Sequence, residues 1–212
     1  MNRSSTVGVL VLAAAVGLLL SLYGPAIPRL REAYGVGGGG SALVLSAHFA
    51  GAMTGIGWWG LERRLAARTW LRVATALLVA GASGIALAPA WPVVLVAAFA
   101  LGVGFGVVVV EINVLLADAF GERAPAILNL LGATFGAGAV VGPLAVAATG
   151  GYRLPFCAGA LLAMVALTLT RDLPATATGP PEPGRDRPPS GLVGGFVALC
   201  ALYVGTESGV GG

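Results

Sequence analysis

Charge is scarce in this chain. Only 10% of its 212 residues are charged, and lysine is absent, so all twelve basic residues are arginine. A soluble domain carries about 25% charged residues, and the shortfall excludes an ordinary soluble fold. Cysteine is equally sparse. Cys157 and Cys200 both lie in apolar runs without C-x-x-C spacing. That excludes a metal or dithiol centre built on them and leaves two small buried hydrophobes. There is no Walker sequence, no zinc-ligand spacing and no defensible Ser/His/Asp arrangement, and no polar loop long enough to hold a catalytic domain. Neither an enzyme nor a cofactor or metal is expected. The glycine run 102–106 lies within an apolar segment, without the strand that a nucleotide loop requires.

Hydrophobic residues are abundant instead, at 57%, with mean hydropathy +0.91. Apolar segments cover residues 7–27, 42–60, 70–88, 92–117, 125–149, 153–170, and 191 to the end. Each is near or above the ~20 residues that an α-helix needs to cross a bilayer. The runs are continuously apolar and do not alternate, so they predict helices and not a barrel. Their many glycines and alanines suit close helix contact in lipid. The first run is too long for a signal peptide and lacks a good cleavage site. Four tryptophans, Trp58, Trp59, Trp70 and Trp91, fall at span ends, where an interfacial aromatic belt is expected.

Arginine placement sets the orientation. With the N-terminus in the cytoplasm, nine arginines fall inside and three (Arg29, Arg31 and Arg153) outside, the bias expected of a multi-pass protein of the cell's inner (plasma) membrane. The net charge of +3 therefore reports topology, and no nucleic-acid partner is expected. Residues 171–190 hold six prolines and mixed charges, the composition of an unstructured linker. The expected fold is all-α and integral to the membrane. Residues 1–170 form a six-helix bundle of two three-helix repeats, residues 171–190 a cytoplasmic Pro-rich linker, and residues 191–212 a partial seventh transmembrane helix. The last segment ends while still apolar, which predicts a truncated product or a fragment of a longer one.

The repeat rests on an echo. Residues 48–57 align with residues 129–138 at an offset of 81, with His48 and Asn129 leading the copies and Gly51, Gly55, Gly132 and Gly136 matching within them. The two copies fall in the second and fifth spans. Internal repeats of this kind build many secondary transporters. These four glycines, with Gly138, Gly142 and Pro143, are expected at helix contacts.

Ionisable groups at membrane depth are functional candidates by default. Glu111 is the foremost, at roughly 9 Å inside the cytoplasmic interface. It shares a helical face with Gly104, Val108 and Leu115 by spacing. Asn113 lies on another face and serves either a cavity or a neighbouring helix. His48 can relay a proton near neutral pH or bond across helices. Asn129 can recognise a hydroxyl but carries no proton. Glu207 sits in the partial seventh span. Glu111, Asn113, Asn129, His48 and Glu207 together form the expected proton and substrate pathway.

Six spans, a long cytoplasmic linker and a seventh span resemble the N-terminal half of the major facilitator superfamily followed by the start of its second half. Gly138-Ala-Val-Val-Gly142-Pro143 is similar to that family's glycine–proline motif. Glu62, Arg63 and Arg64, with the later Arg68, resemble its acidic–arginine loop between the second and third spans; here the usual aspartate and a glycine are missing. The resemblance makes these four residues a cytoplasmic gating loop. Residues 123–132, 106–113 and 202–207 resemble the fucose-permease-like group, whose members move hexoses or related solutes with protons. That resemblance implies that Glu111 serves the cavity and that Asn129 contacts substrate. The first-span acid of some such symporters is absent, which leaves Glu111 as the only acid within the six complete spans.

The expected function is therefore secondary active transport of a small polar solute, a sugar by resemblance, coupled to protons by alternating access. The expected partners are the lipid bilayer, the solute and its proton, and a missing C-terminal half or a second copy. A second reading is efflux of a drug or metabolite. A third is a half-transporter that moves nothing alone, because alternating access needs two bundles.

Overall fold

Long apolar runs become helices because the bilayer leaves backbone groups no other partner. The computed structural model describes residues 3–62, 65–171 and 173. The expected seventh span, nearly all of the linker, and Arg63, Arg64, Cys200 and Glu207 lie outside the described residues. Seven α-helices follow in order: α1 (Arg3–Ser21), α2 (Tyr23–Tyr34), α3 (Gly38–Leu61), α4 (Ala67–Leu87), α5 (Trp91–Phe120), α6 (Ala124–Thr149) and α7 (Arg153–Leu169). A single 3-10 turn over Gly121–Arg123 joins α5 to α6.

The first expected span is a broken pair, α1 and α2. Leu22 keeps helical dihedrals between them, and Ala26 still bonds back to the Leu22 carbonyl. Pro25 has no N–H to offer the carbonyl of Ser21, so the ladder lapses there. The second helix runs on to Tyr34, past the sequence-based end at residue 27, and stops where Gly35 turns left-handed (φ 64°) and donates to the Arg31 carbonyl. Proline opens α5 and α6 within their first two positions, where its missing N–H costs nothing. Among the described residues, three stretches are long and apolar enough to span a bilayer by length and composition: α1, α4, and the run Trp91–Thr149 that contains α5 and α6. Helix α7 is apolar but shorter. Helix α3 has the length, and its polarity is raised by Ser41, Ser46, His48 and Thr54.

The helices pair crosswise. Helix α1 packs on α6, and α3 on α5; α4 also packs on α5, α7 on α1, and α4 on α7. Exchanging the first three spans with the last three turns this pattern into itself. The glycine contacts give the register. A side chain at Gly51 would strike the carbonyl of Phe99 and the amide of Val103; one at Gly138 would strike the carbonyl of Ala14 and the amide of Leu18. Gly55 meets the carbonyl of Val103, as Gly142 meets that of Leu18. Gly102 meets the carbonyl of His48, as Gly17 meets that of Phe135. Helices α3 and α6 are thus equivalent at an offset of 87 residues, and α1 and α5 at 85.

The 81-residue echo is not this register. Nothing lies within 4 Å of a side-chain carbon placed at Gly132 or Gly136, so neither makes the expected contact. The discrepancy is six residues, about 240° of helix rotation beyond one full turn. That rotation carries both glycines a third of a turn off the contact face. Pro143 sits inside α6 and faces outward beside Gly142.

Candidate functional site

The close approach of α3 and α5 brings together two residues 52 apart in sequence. Gly55 rests on Val103, and Gly106 rests on Ala52. One turn further along each helix stand Trp59 and Glu111. The Trp59 indole Nε1–H donates to Oε2 of Glu111 at 2.5 Å. Glu111 is wholly buried, and its Oε1 has no partner among the described residues. The only ion pair among the described residues is Arg29–Glu32, at 3.8 Å on the exposed surface of α2. Among the described residues Glu111 is therefore held by one neutral donor and by no cation. Its expected face-mate Gly104 packs against Ala74 and Leu78 of α4, so this side of α5 is turned into the bundle.

Asn113 points elsewhere. It lines a cleft of about 240 Å³ between α1, α5 and α6, with Val16, Phe105, Val109, Leu131, Gly132 and Phe135 among the walls. Its Nδ2 donates to the carbonyl of Val109 at 2.7 Å. Glu111 and Asn113 are thus two residues apart on one helix, yet one faces the α3 seam and the other the cleft. Asn129 is exposed on α6 and stands outside the cleft lining, although Gly132, one turn on, is part of it.

His48 is wholly buried on α3. Its Nδ1 lies 3.2 Å from the hydroxyl of Tyr23, and its Nε2 has no partner among the described residues. Aromatic rings enclose it: Tyr23 at 5.0 Å, Phe105 at 5.2 Å and Phe49 at 5.4 Å between centroids, all edge-on. Phe105 also lines the cleft, so one ring separates His48 from that space. The structure does not gather the expected pathway residues into one cluster. It sets Glu111 with Trp59, His48 with Tyr23, and Asn113 on the cleft.

In the loop after α3, Glu62 is exposed. Arg68, in the first turn of α4, is half-buried, and its Nε has no hydrogen-bond partner among the described residues. At this end Trp58 and Trp70 meet edge-on at 4.9 Å. Trp70 is fully buried, so it is a packing residue and not part of an interfacial belt. At the other end Tyr34 stacks near Trp91 at 5.9 Å and donates to the carbonyl of Ala88 at 2.8 Å. A larger concavity of about 450 Å³ opens there between α2 and the α6–α7 turn, beside Arg29, Glu32 and Arg153.

Tyr23 and Trp59 are the partners that sequence reading missed. A signal existed for Trp59, because the stripe His48, Gly51, Gly55 continues at helical spacing to residue 59. Tyr23 also carried one: a tyrosine hydroxyl inside an apolar span needs a partner.

No curated protein matches the chain. The family model of the Major Facilitator Superfamily, a family of membrane transporters, matches residues 9–207. With that match across nearly the whole length and an all-helical bundle of long apolar helices, the chain is an integral membrane protein that belongs to the major facilitator superfamily.

Proposed function

We propose that this protein takes part in proton-coupled secondary transport of a small solute by alternating access, with Glu111 as the proton-binding group. The observation that carries the reading is the state of that carboxyl: buried, bonded to the Trp59 indole and, among the described residues, with Oε1 unpartnered and no cation in salt-bridge reach. Gaining or losing a proton at such a group is a large electrostatic event in a low-dielectric interior. Helix α5 carries this group on one face and Asn113, on the cleft, on another. A movement of α5, together with the helices packed on it, relative to α1 and α6 on proton binding therefore reshapes the cleft wall. Alternating access also needs a second bundle, which a second copy or a further polypeptide supplies in this reading. The arginine distribution supports a cytoplasmic N-terminus in the plasma membrane.

The test uses proteoliposomes loaded with a pH-sensitive dye and holding the chain. Solutes are added under an imposed pH gradient, with labelled hexose uptake and lipophilic-cation export followed in parallel. Glu111→Gln is expected to abolish solute-dependent proton movement. Unchanged movement in that variant would sink the assignment of the proton to Glu111. The direction of labelled-solute flux separates import from efflux.

A further inference from the structure

The cleft between α1, α5 and α6 has a chemistry that the transport reading leaves unspecified. Its walls are alkyl and aromatic, with the Phe105 and Phe135 rings among them. The one polar side chain among its described walls is the Asn113 amide. That amide is oriented. One N–H of its Nδ2 is committed to the Val109 carbonyl, and the flipped rotamer would set two oxygens against each other. Its Oδ1 therefore faces away, with no partner among the described residues, and can only accept a hydrogen bond. Gly132 leaves open space in the wall, since nothing lies within 4 Å of a side-chain carbon built there.

We infer that the cleft binds a small, mainly apolar ring compound bearing one hydrogen-bond donor, and not a hexose. A hexose brings several hydroxyls, and each one buried without a partner is costly. The Asn113 amide oxygen satisfies one donor. The phenyl rings offer edge and face contacts to a flat ring. At about 240 Å³ the cleft is smaller than most complete ligand sites, so the part of the solute seated in it is of phenol or indole size. The inference rests on the transport reading for its purpose but on the cleft alone for its chemistry.

The experiment is equilibrium dialysis of radiolabelled phenol, indole and toluene against nanodiscs holding the whole chain, with uptake by empty nanodiscs subtracted. Phenol and indole are expected to show a saturable component that unlabelled glucose and fucose do not displace. Gly132→Leu, which fills open space, is expected to weaken that component about tenfold or more, as loss of most of the cleft's contact area requires. Asn113→Leu is expected to weaken phenol about fivefold, the worth of one hydrogen bond of about 1 kcal/mol, and to leave toluene unchanged. The phenol–toluene contrast is read within one variant, so a general loss of fold cannot imitate it. Absence of a saturable component, displacement by hexose, undiminished binding in Gly132→Leu, or equal losses of phenol and toluene in Asn113→Leu would each overturn the proposal. Glu111→Gln separates the two readings: it should still bind phenol while proton movement is lost. Proton movement that persists in this variant strikes the proton assignment and leaves the cleft proposal standing.

Discussion

The hydroxyl of Tyr23 sits 3.2 Å from Nδ1 of His48, in a pocket walled by Phe49, Phe105 and Phe156. The bond ties the break in the first span to the middle of α3. Tyr23→Phe removes one partner and leaves both imidazole nitrogens buried and unsatisfied, at a cost of about 1–3 kcal/mol. Replacing both partners with apolar groups costs less. The double variant Tyr23→Phe/His48→Leu is accordingly expected to melt closer to the parent than Tyr23→Phe does. Thermal unfolding in detergent micelles compares the three, and additive losses in the double variant would contradict the pairing.

The corrected repeat register predicts a contrast between glycines. Gly51→Ala drives a methyl group into the backbone of α5, and overpacking of this kind costs about 1–3 kcal/mol. Gly138→Ala does the same against α1. Gly132→Ala and Gly136→Ala meet open space and should stay within about 0.5 kcal/mol of the parent. Equal losses at all four positions would return the register to 81 residues.

Trp59 gives a third test. Trp59→Phe keeps an aromatic ring and removes the only hydrogen-bond donor to Glu111 among the described residues. Leaving the carboxyl wholly unpartnered costs about 1–3 kcal/mol. Glu111→Leu in the Trp59→Phe background is expected to recover much of that loss, because no buried carboxyl remains. Unfolding midpoints of the single and double variants decide the matter; no recovery would show that Trp59 acts through packing alone.

A fourth prediction concerns alkaline pH, at the end of α2. Burial first, and then the neighbouring Tyr152 hydroxyl at 3.5 Å, push the Tyr34 hydroxyl up from the ordinary 10.0 to about 12, against a lowering by Arg153. A raised value means that the folded state keeps this proton after the unfolded chain has released it. The stabilising contribution is therefore complete below pH 10.0 and is lost as pH climbs to about 12. The melting temperature should fall more steeply across that window in the parent than in Tyr34→Phe. Parallel slopes in the two proteins would refute the contribution.

Hydropathy made the helices legible because the bilayer imposes a length and a backbone pattern. Helices α4 to α7 begin and end within a few residues of the apolar runs. The continuation of α2 to Tyr34, beyond the apolar run, was not legible, since Arg29, Arg31 and Glu32 end the apolarity while the helix continues. Rotation about each helix axis was harder still. Nothing in a glycine-rich run says which glycines meet a neighbour, so Gly132 and Gly138 look alike until α1 is in place. The same holds for Glu111 and Asn113. Both are polar and nearly adjacent, and only the packing of α3 and α6 shows that they face different surroundings. Trp59 resembled a membrane-surface anchor because its partner lies 52 residues away.

Three glycines on α5 alternate in direction: Gly102 and Gly106 lie on α3, and Gly104 lies on α4. Backbone touches backbone on both sides, so α5 has no slack to slide or roll against either neighbour. Helices α3, α4 and α5 behave as one stiff plate, and Gly17, Gly138 and Gly142 weld α1 to α6 in the same manner. Compliance is left to the line where the two plates adjoin without such welds. The cleft that holds Asn113 lies on that line, so breathing of the bundle changes the size of the cleft before it changes anything else.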